Sequence, residues 1–397
     1  MPARSITARI PGIRTPVRGL VAMAGLAVLT ACGPVSVSNV ASGVDRSDGP
    51  VQVALLVPGG SSDEGRQVLA ESLENAARLA VSDLNGVDID LRVYDTAGDP
   101  EQAEEVAMEA ADAGASIILG PVYGDEARAV GAAVASEGLN VLSFSNNTEI
   151  AGDNVFVLGQ TFGNTAERLL AYAADEGKDQ VMIVGERTSE GEAAQAAIET
   201  AAARAGASIV ATEIYSFSQQ GIVDALPDIA STARSSEADT LFFTANTAGA
   251  LPILAQLLPD NRISQPDFQF MGLTRWDIPP ETLELRGLQD GWFATPDPSM
   301  AERFEERYEE TYDDSPHPIA GLAYDGIAAI GALLATDESD ALSRAALTQG
   351  SGFVGVNGVF RFRPDGTNER GLAVATIQDN EVVILDPAPR SFAGPGS

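Results

Sequence analysis

The sequence predicts an α/β protein of two lobes, each a parallel sheet flanked by helices. Two observations carry this. Short apolar, β-branched runs alternate along the chain with longer amphipathic, alanine-rich ones, the rhythm of strand–helix–strand units with right-handed crossovers. Of 397 residues, 45% are hydrophobic, and the stretch between two polar or Pro/Gly-rich ends is long enough for two separate cores. No solenoid period is present.

Val51–Val57 is apolar, β-branched and short, and reads as a buried parallel strand. Pro58-Gly59-Gly60-Ser61-Ser62-Asp63 breaks it, and residues 64–84 then repeat Val68, Leu69, Leu73, Ala76, Ala77, Leu79 and Ala80 at helical spacing. The alternation predicts further strands at 91–94, 117–119, 141–144, 181–184, 209–213, 240–243 and 268–271. Helices are expected at 101–113, 126–137, 166–175 and 192–205. Beyond Pro298 the pattern changes to helices at 301–312 and 320–334 and short strands at 358–362 and 372–377. The tail, 387–397, is rich in Pro and Gly and is expected to be disordered.

The amino-terminal end reads differently. Arg4, Arg9, Arg14 and Arg18 form a basic region without acidic residues, followed by an apolar stretch from Leu20 to Leu29 too short to cross a bilayer. Leu29-Thr30-Ala31-Cys32 follows and resembles the bacterial lipobox. That resemblance implies a lipoprotein signal peptide at 1–31 and a lipid on Cys32, and residues 32–50, without helical period and ending in Asp45-Arg46-Ser47-Asp48-Gly49-Pro50, read as a tether. A flexible segment of that length typically spans about 23 Å.

Composition removes several chemistries. Cys32 is the only cysteine and His317 the only histidine, in the loop-like Ser315-Pro316-His317-Pro318. Catalytic triads, zinc sites and His-carboxylate iron sites are therefore not expected, and neither a metal nor another cofactor is. The one lysine, Lys178, follows Gly177 but precedes Asp179, so no phosphate-binding P-loop exists. Gly120-Pro121-Val122-Tyr123-Gly124 is not a dinucleotide fingerprint. A formal charge of −33 argues against nucleic-acid partners and anionic membrane surfaces. Acidic pairs such as Glu104-Glu105 and Glu309-Glu310 read as solvated helix faces rather than catalytic dyads.

In open α/β sheets ligands sit beyond the carboxyl ends of the strands. That rule selects the loops 59–63, 121–124, 143–148, 186–190, 246–248 and 273–277.

Five segments then carry a resemblance. They are Val51-Gln52-Val53-Ala54-Leu55-Leu56-Val57-Pro58, Tyr94-Asp95-Thr96-Ala97-Gly98-Asp99-Pro100, Ile118-Leu119-Gly120-Pro121, Phe270-Met271-Gly272 and Ala323-Tyr324-Asp325-Gly326. In this order and spacing the chain resembles the leucine/isoleucine/valine-binding family of type I periplasmic binding proteins. The resemblance implies two lobes joined by three crossings, with a ligand in the cleft between them. It places lobe one at 51–157 plus 298–355 and lobe two at 158–297 plus 356–386. It also implies cleft candidates: Ser61, Ser62, Tyr123, Gly124, Ser145, Asn146, Asn147, Asn246, Thr274, Arg275 and Trp276.

Where amino-acid-binding members present hydroxyls and a glutamate, this chain offers Gly124, Asn147 and Thr274. Without that carboxylate an α-ammonium has no partner, so a free amino acid is a doubtful ligand. An acidic or neutral ligand held by Arg275 and stacked on Trp276 suits better; alternatively Arg275 pairs with Asp277 and Trp276 packs in the lobe.

Two non-catalytic functions follow. Val93-Tyr94-Asp95-Thr96 and Leu119-Gly120-Pro121-Val122 resemble the branch of outer-membrane lipoproteins that activate penicillin-binding proteins in peptidoglycan synthesis. Gly33 after Cys32 agrees with outer-membrane sorting. That reading, a periplasmic regulator with a penicillin-binding protein as partner, is the leading expectation. Its alternative is the solute-binding component of an ABC-type uptake system for amino acids or small organic acids, with a transporter permease as partner.

Overall fold

Val51–Val57 forms β1, and its alternation decides what lies on each face of the first sheet. Val53, Leu55 and Val57 enter one core cluster, Ala54 and Leu56 the other, as the two-residue period of a strand requires. The structure is a computed structural model and describes residues 49–336 and 338–392. The expected signal peptide, Cys32 and the tether up to residue 48 lie outside the described residues.

The first lobe continues with α1 (Glu64–Asp83), β2 (Ile89–Asp95), α2 (Pro100–Asp112), β3 (Ile117–Leu119), α3 (Gly124–Val134), β4 (Val141–Ser143) and β5 (Val155–Val157). Its five strands pair in parallel in the order β2-β1-β3-β4-β5. Caps set the helix starts. Asp63 accepts a hydrogen bond from the Arg66 amide, and Asp99 accepts from Glu101 and Gln102 with Pro100 in the first helical position, satisfying amides that a helix start leaves unpaired.

The second lobe runs through α4 (Phe162–Asp175), β6 (Gln180–Glu186), α5 (Ser189–Ala205), β7 (Ser208–Tyr215), α6 (Gln219–Ser235), β8 (Thr240–Phe243), α7 (Leu251–Leu257), β9 (Gln269–Gly272) and β10 (Trp292–Thr295). The chain then returns to the first lobe with α8 (Pro298–Tyr312), α9 (Gly321–Leu334) and the short α10 (Arg344–Leu347). Phe304, Tyr308, Ile327 and Ile330 of α8 and α9 share a core with Val53 and Leu55.

Next come β11 (Phe353–Gly355), β12 (Gly358–Phe362) and β13 (Asn368–Arg370), an antiparallel three-stranded sheet. Residues 356–370 were expected in lobe two. They pack on lobe one instead, because Phe353, Phe360 and Phe362 need an apolar bed and find it beside Phe156 and Leu119. Only β14 (Ala373–Gln378) and β15 (Glu381–Asp386) complete the second sheet, in the order β15-β14-β10-β9-β8-β6-β7, with β14 and β15 antiparallel. The chain thus crosses between lobes near residues 158–161, 296–297 and 371–372.

β15 is an edge strand on which Val382, Val383, Ile384 and Leu385 are each 36–37% exposed. The tail after it departs from the expected disorder as far as residue 392: Ala388 is buried, and the Arg361 guanidinium lies 4.6 Å from the Phe392 ring centroid. Residues 393–397 lie outside the described residues. No described helix is long and apolar enough to cross a membrane.

Candidate ligand-binding cleft

The carboxyl ends of β3, β4, β9 and β10 open on a cavity of about 600 Å³. Lobe one contributes Val122, Tyr123, Gly124, Phe144, Ser145, Asn146 and Asn147, with Pro318, Ile319 and Leu322 from the segment entering α9. Lobe two contributes residues around the start of α4, Gln160, Thr161, Phe162 and Thr165, and the loop after β9, Leu273, Thr274, Arg275 and Ile278. Asn357, Arg370 and Leu372 line it as well. Both walls mix hydrocarbon with hydroxyl and amide groups, as small-molecule sites do.

Hydroxyls and amides are held by turns. Ser143 Oγ donates to the Pro121 carbonyl and accepts from the Ser145 amide, Ser145 Oγ accepts from the Asn147 amide, and Asn147 Oδ1 accepts from the Glu149 amide at 2.9 Å. Across the cleft Thr161 and Asn164 cap α4 reciprocally, and Gln160 Nε2 donates to Thr165 Oγ1 at 2.9 Å. Tyr123 begins α3 with its amide donating to Glu126 Oε2; burial holds the Glu126 carboxyl above its usual range. The Arg66 guanidinium stands 5.5 Å from the Tyr123 ring centroid, donating to the Ala97 carbonyl.

Arg370 is the charged group that the sequence reading missed. Its side chain is 2% exposed and pairs with the fully buried Asp325 at 3.1 Å, while Nε donates to the Leu158 carbonyl at 3.1 Å. Asp325 also accepts from the Asn357 amide and Nδ2, at 3.3 and 3.1 Å. Asn368 Nδ2 donates to the carbonyls of Val157 and Gly159 at 2.9 and 2.8 Å. β13 therefore grips the first crossing between the lobes. Asp325 lay inside a motif already noted; Arg370 stood in no motif, and only the fold reveals its partner 45 residues away.

The candidates divide accordingly. Tyr123, Gly124, Ser145, Asn146, Asn147, Thr274 and Arg275 come together around the cavity, with the Thr274 hydroxyl buried and unpartnered. Arg275 also pairs with Asp277 through Nε and Nη2, as the alternative reading had it. Ser61, Ser62, Asn246 and Trp276 do not line it. Ser61 and Ser62 shape the approach to α1, where Ser61 Oγ accepts from the Asp63 amide. The Asn246 carbonyl accepts from Gly249 and Leu251 ahead of α7. Trp276 is fully buried in the second lobe against Phe293, where so large a side chain has nowhere else to bury its surface. A separate depression of about 530 Å³, lined by Lys178, Gln269, Asp290 and Trp292, lies at the opposite ends of the second lobe's strands and not between the lobes. No group of acidic, His or Cys side chains among the described residues is placed to hold a metal.

Solved structures share this architecture. A branched-chain amino acid ABC transporter periplasmic ligand-binding protein from Burkholderia xenovorans superposes with a TM-score of 0.67 at 18% identity, covering 85% of this chain and 96% of its own. An ABC transporter substrate-binding protein from Desulfitobacterium hafniense in complex with Leu gives 0.63 at 19%, covering 85% and 100%. A solute-binding protein of an ABC transporter from R. palustris in complex with benzoate gives 0.58 at 17%, covering 87% and 98%. A search of curated proteins gave no match. The profile of the periplasmic binding proteins matches residues 50–381, nearly the whole described chain. With a parallel and a largely parallel sheet, three crossings and an interlobe cavity in place, this chain belongs to the periplasmic binding protein family.

Proposed function

We propose that this protein is the solute-binding component of an ABC-type uptake system, and that it makes and breaks no covalent bond. The observation that carries this is the cavity of about 600 Å³ between the lobes, lined from both sides by hydroxyl, amide and apolar groups. Its volume suits a small organic solute, and closure of two lobes about their crossings is the established way such clefts enclose ligands. The names of the related structures support this reading over the regulator of penicillin-binding proteins that the motifs suggested. The protein partner is then a transporter permease, and the family supports a periplasmic location. Cys32 would supply the membrane anchor, which a Cys32→Ser variant would release into the soluble fraction.

The test is to purify the protein without denaturant, release and identify bound molecules by mass spectrometry, and screen amino acids and small organic acids by thermal shift. A ligand at a hundred times its dissociation constant stabilises by about 2.7 kcal/mol. A stoichiometric solute, or a saturable shift, is expected. No released molecule and no shift with any compound would sink the reading.

A further inference from the structure

We propose that the cleft selects a carboxylate with an apolar body and no α-ammonium group, an inference that rests on the solute-binding reading and deepens it. Among the residues lining the cavity there are two guanidinium groups and no Asp or Glu. Each arginine has its counter-charge outside the lining: Asp277 beside Arg275, Asp325 behind Arg370. The carboxylates offset the positive charge without presenting acceptors to a ligand. Glu305 on α8 is close enough for Arg275 to act on it electrostatically, but it too stands outside the lining.

Donors remain. Arg275 uses Nε and Nη2 on Asp277, and its Nη1 has no partner among the described residues. Arg370 directs Nε and Nη2 to the Leu158 carbonyl and Nη1 to Asp325, which leaves one hydrogen on each Nη. Thr274, which also lines the cavity, has a buried hydroxyl with no hydrogen-bond partner. Unused N–H and O–H groups on residues that line a partly apolar cavity call for a ligand that accepts, and a carboxylate is the acceptor that guanidinium groups match best. An α-ammonium would bring three further donors and a positive charge to a wall that offers it only hydroxyl and amide oxygens. Burying a charge without an opposite partner is heavily penalised. Phe144 and Ile319 on one side and Phe162 and Leu273 on the other would hold the hydrocarbon.

Matched probes isolate the amine. Calorimetry and thermal shift would compare leucine, 4-methylpentanoate and 3-methylbutylamine, then phenylalanine, 3-phenylpropanoate and 2-phenylethylamine. The expected result is that an acid of either set binds about tenfold or more tighter than its amino acid, and that neither amine binds. Thr274→Val and Arg275→Gln should each weaken the acid about tenfold, with circular dichroism unchanged. Thr274→Val keeps the side-chain volume and the Arg275 pair, so it tests the donor set even if Arg275→Gln unfolds. An amino acid or amine that binds as tightly as its acid would overturn the ligand class while leaving the solute-binding reading standing. If no probe binds, the molecule released from the native protein decides: an amine-free acid supports the inference, and any other molecule overturns it. If nothing is released either, both readings fall.

Discussion

Removing Asp325 should cost this protein far more than removing an ordinary carboxylate. Its side chain is fully buried, and it accepts from Arg370 Nη1, the Asn357 amide and Asn357 Nδ2 at 3.1–3.3 Å. Asp325→Ala would leave the 2%-exposed Arg370 guanidinium with only the Leu158 carbonyl and the face of the Phe360 ring and would strip Asn357 of its acceptor. Breaking one partner of a buried pair costs about 3–5 kcal/mol. At about 2 °C per kcal/mol for a chain larger than 200 residues, Tm should fall by roughly 6–10 °C. Arg370→Met should cost a similar amount, since it strands the carboxylate. The double variant buries neither charge and should be no less stable than either single one. Thermal unfolding followed by circular dichroism, with urea titration as a second probe, completes the cycle. The reasoning is refuted if the single losses simply add in the double variant, or if either is below about 1 kcal/mol, the value of an exposed pair.

Other outcomes follow from the same structure. Trp276→Ala should cost about 3–5 kcal/mol in urea unfolding by emptying the second lobe's core, while Trp276→Phe should leave ligand affinity within about twofold, because the indole does not line the cleft. Gly120→Ala should destabilise strongly, as measured by urea midpoint, because Gly120 has φ +94° and an added Cβ would strike the Leu56 carbonyl. Burial raises the Glu186 carboxyl above its ordinary 4.5, its Oε1 accepting from the Tyr215 hydroxyl at 3.0 Å. A raised folded-state value means that its contribution is complete below pH 4.5 and is lost as pH climbs through the folded value. Glu186→Gln should therefore flatten the decline of stability above pH 4.5 in urea titrations across pH, and an unchanged slope would exclude Glu186 as its source.

The repeated strands were legible where burial on both faces leaves a continuous apolar run: Val51–Val57, Ile117–Leu119 and Thr240–Phe243 begin and end where periodicity put them. α1 began where the apolar rhythm put it and α9 one residue later, but α2, α3, α4, α5 and α8 began earlier. α4 starts at Phe162 rather than Ala166, because Thr161 caps it and the first turn carries little hydrophobic signal. β10, Trp292–Thr295, lay outside every expected segment, and β13, with the polar sequence Asn-Glu-Arg, offers no apolar run to read. The site divides in the same way. Loops after strands were found by topology, which is why Ser145, Asn147 and Thr274 lie at the cavity. Ser61, Ser62 and Asn246 obey the same rule yet stand outside the lining: the Ser61 hydroxyl accepts from the Asp63 amide, the Asn246 carbonyl closes a turn ahead of α7, and the Asn246 Oδ1 is buried without a partner. Nothing local distinguishes those two fates. Arg370 and Asn357 reach the cavity only because β11–β13 fold back onto the first lobe.

β15 gives the acidity of this chain a role separate from ligand choice. A strand that ends a sheet with four neighbouring aliphatic side chains 36–37% exposed is a template on which another chain could add a strand. Glu381 opens that run, Asp386 at its end is paired with Arg168, and the chain as a whole carries −33, so two copies meeting edge to edge repel before their backbones can bond. That protection is made of long-range field and not of local shape, and salt shortens it to about 10 Å at 0.1 M. The solubility of this protein is thus tied to ionic strength, and storage in dilute buffer preserves the solitary edge that concentrated salt would begin to pair.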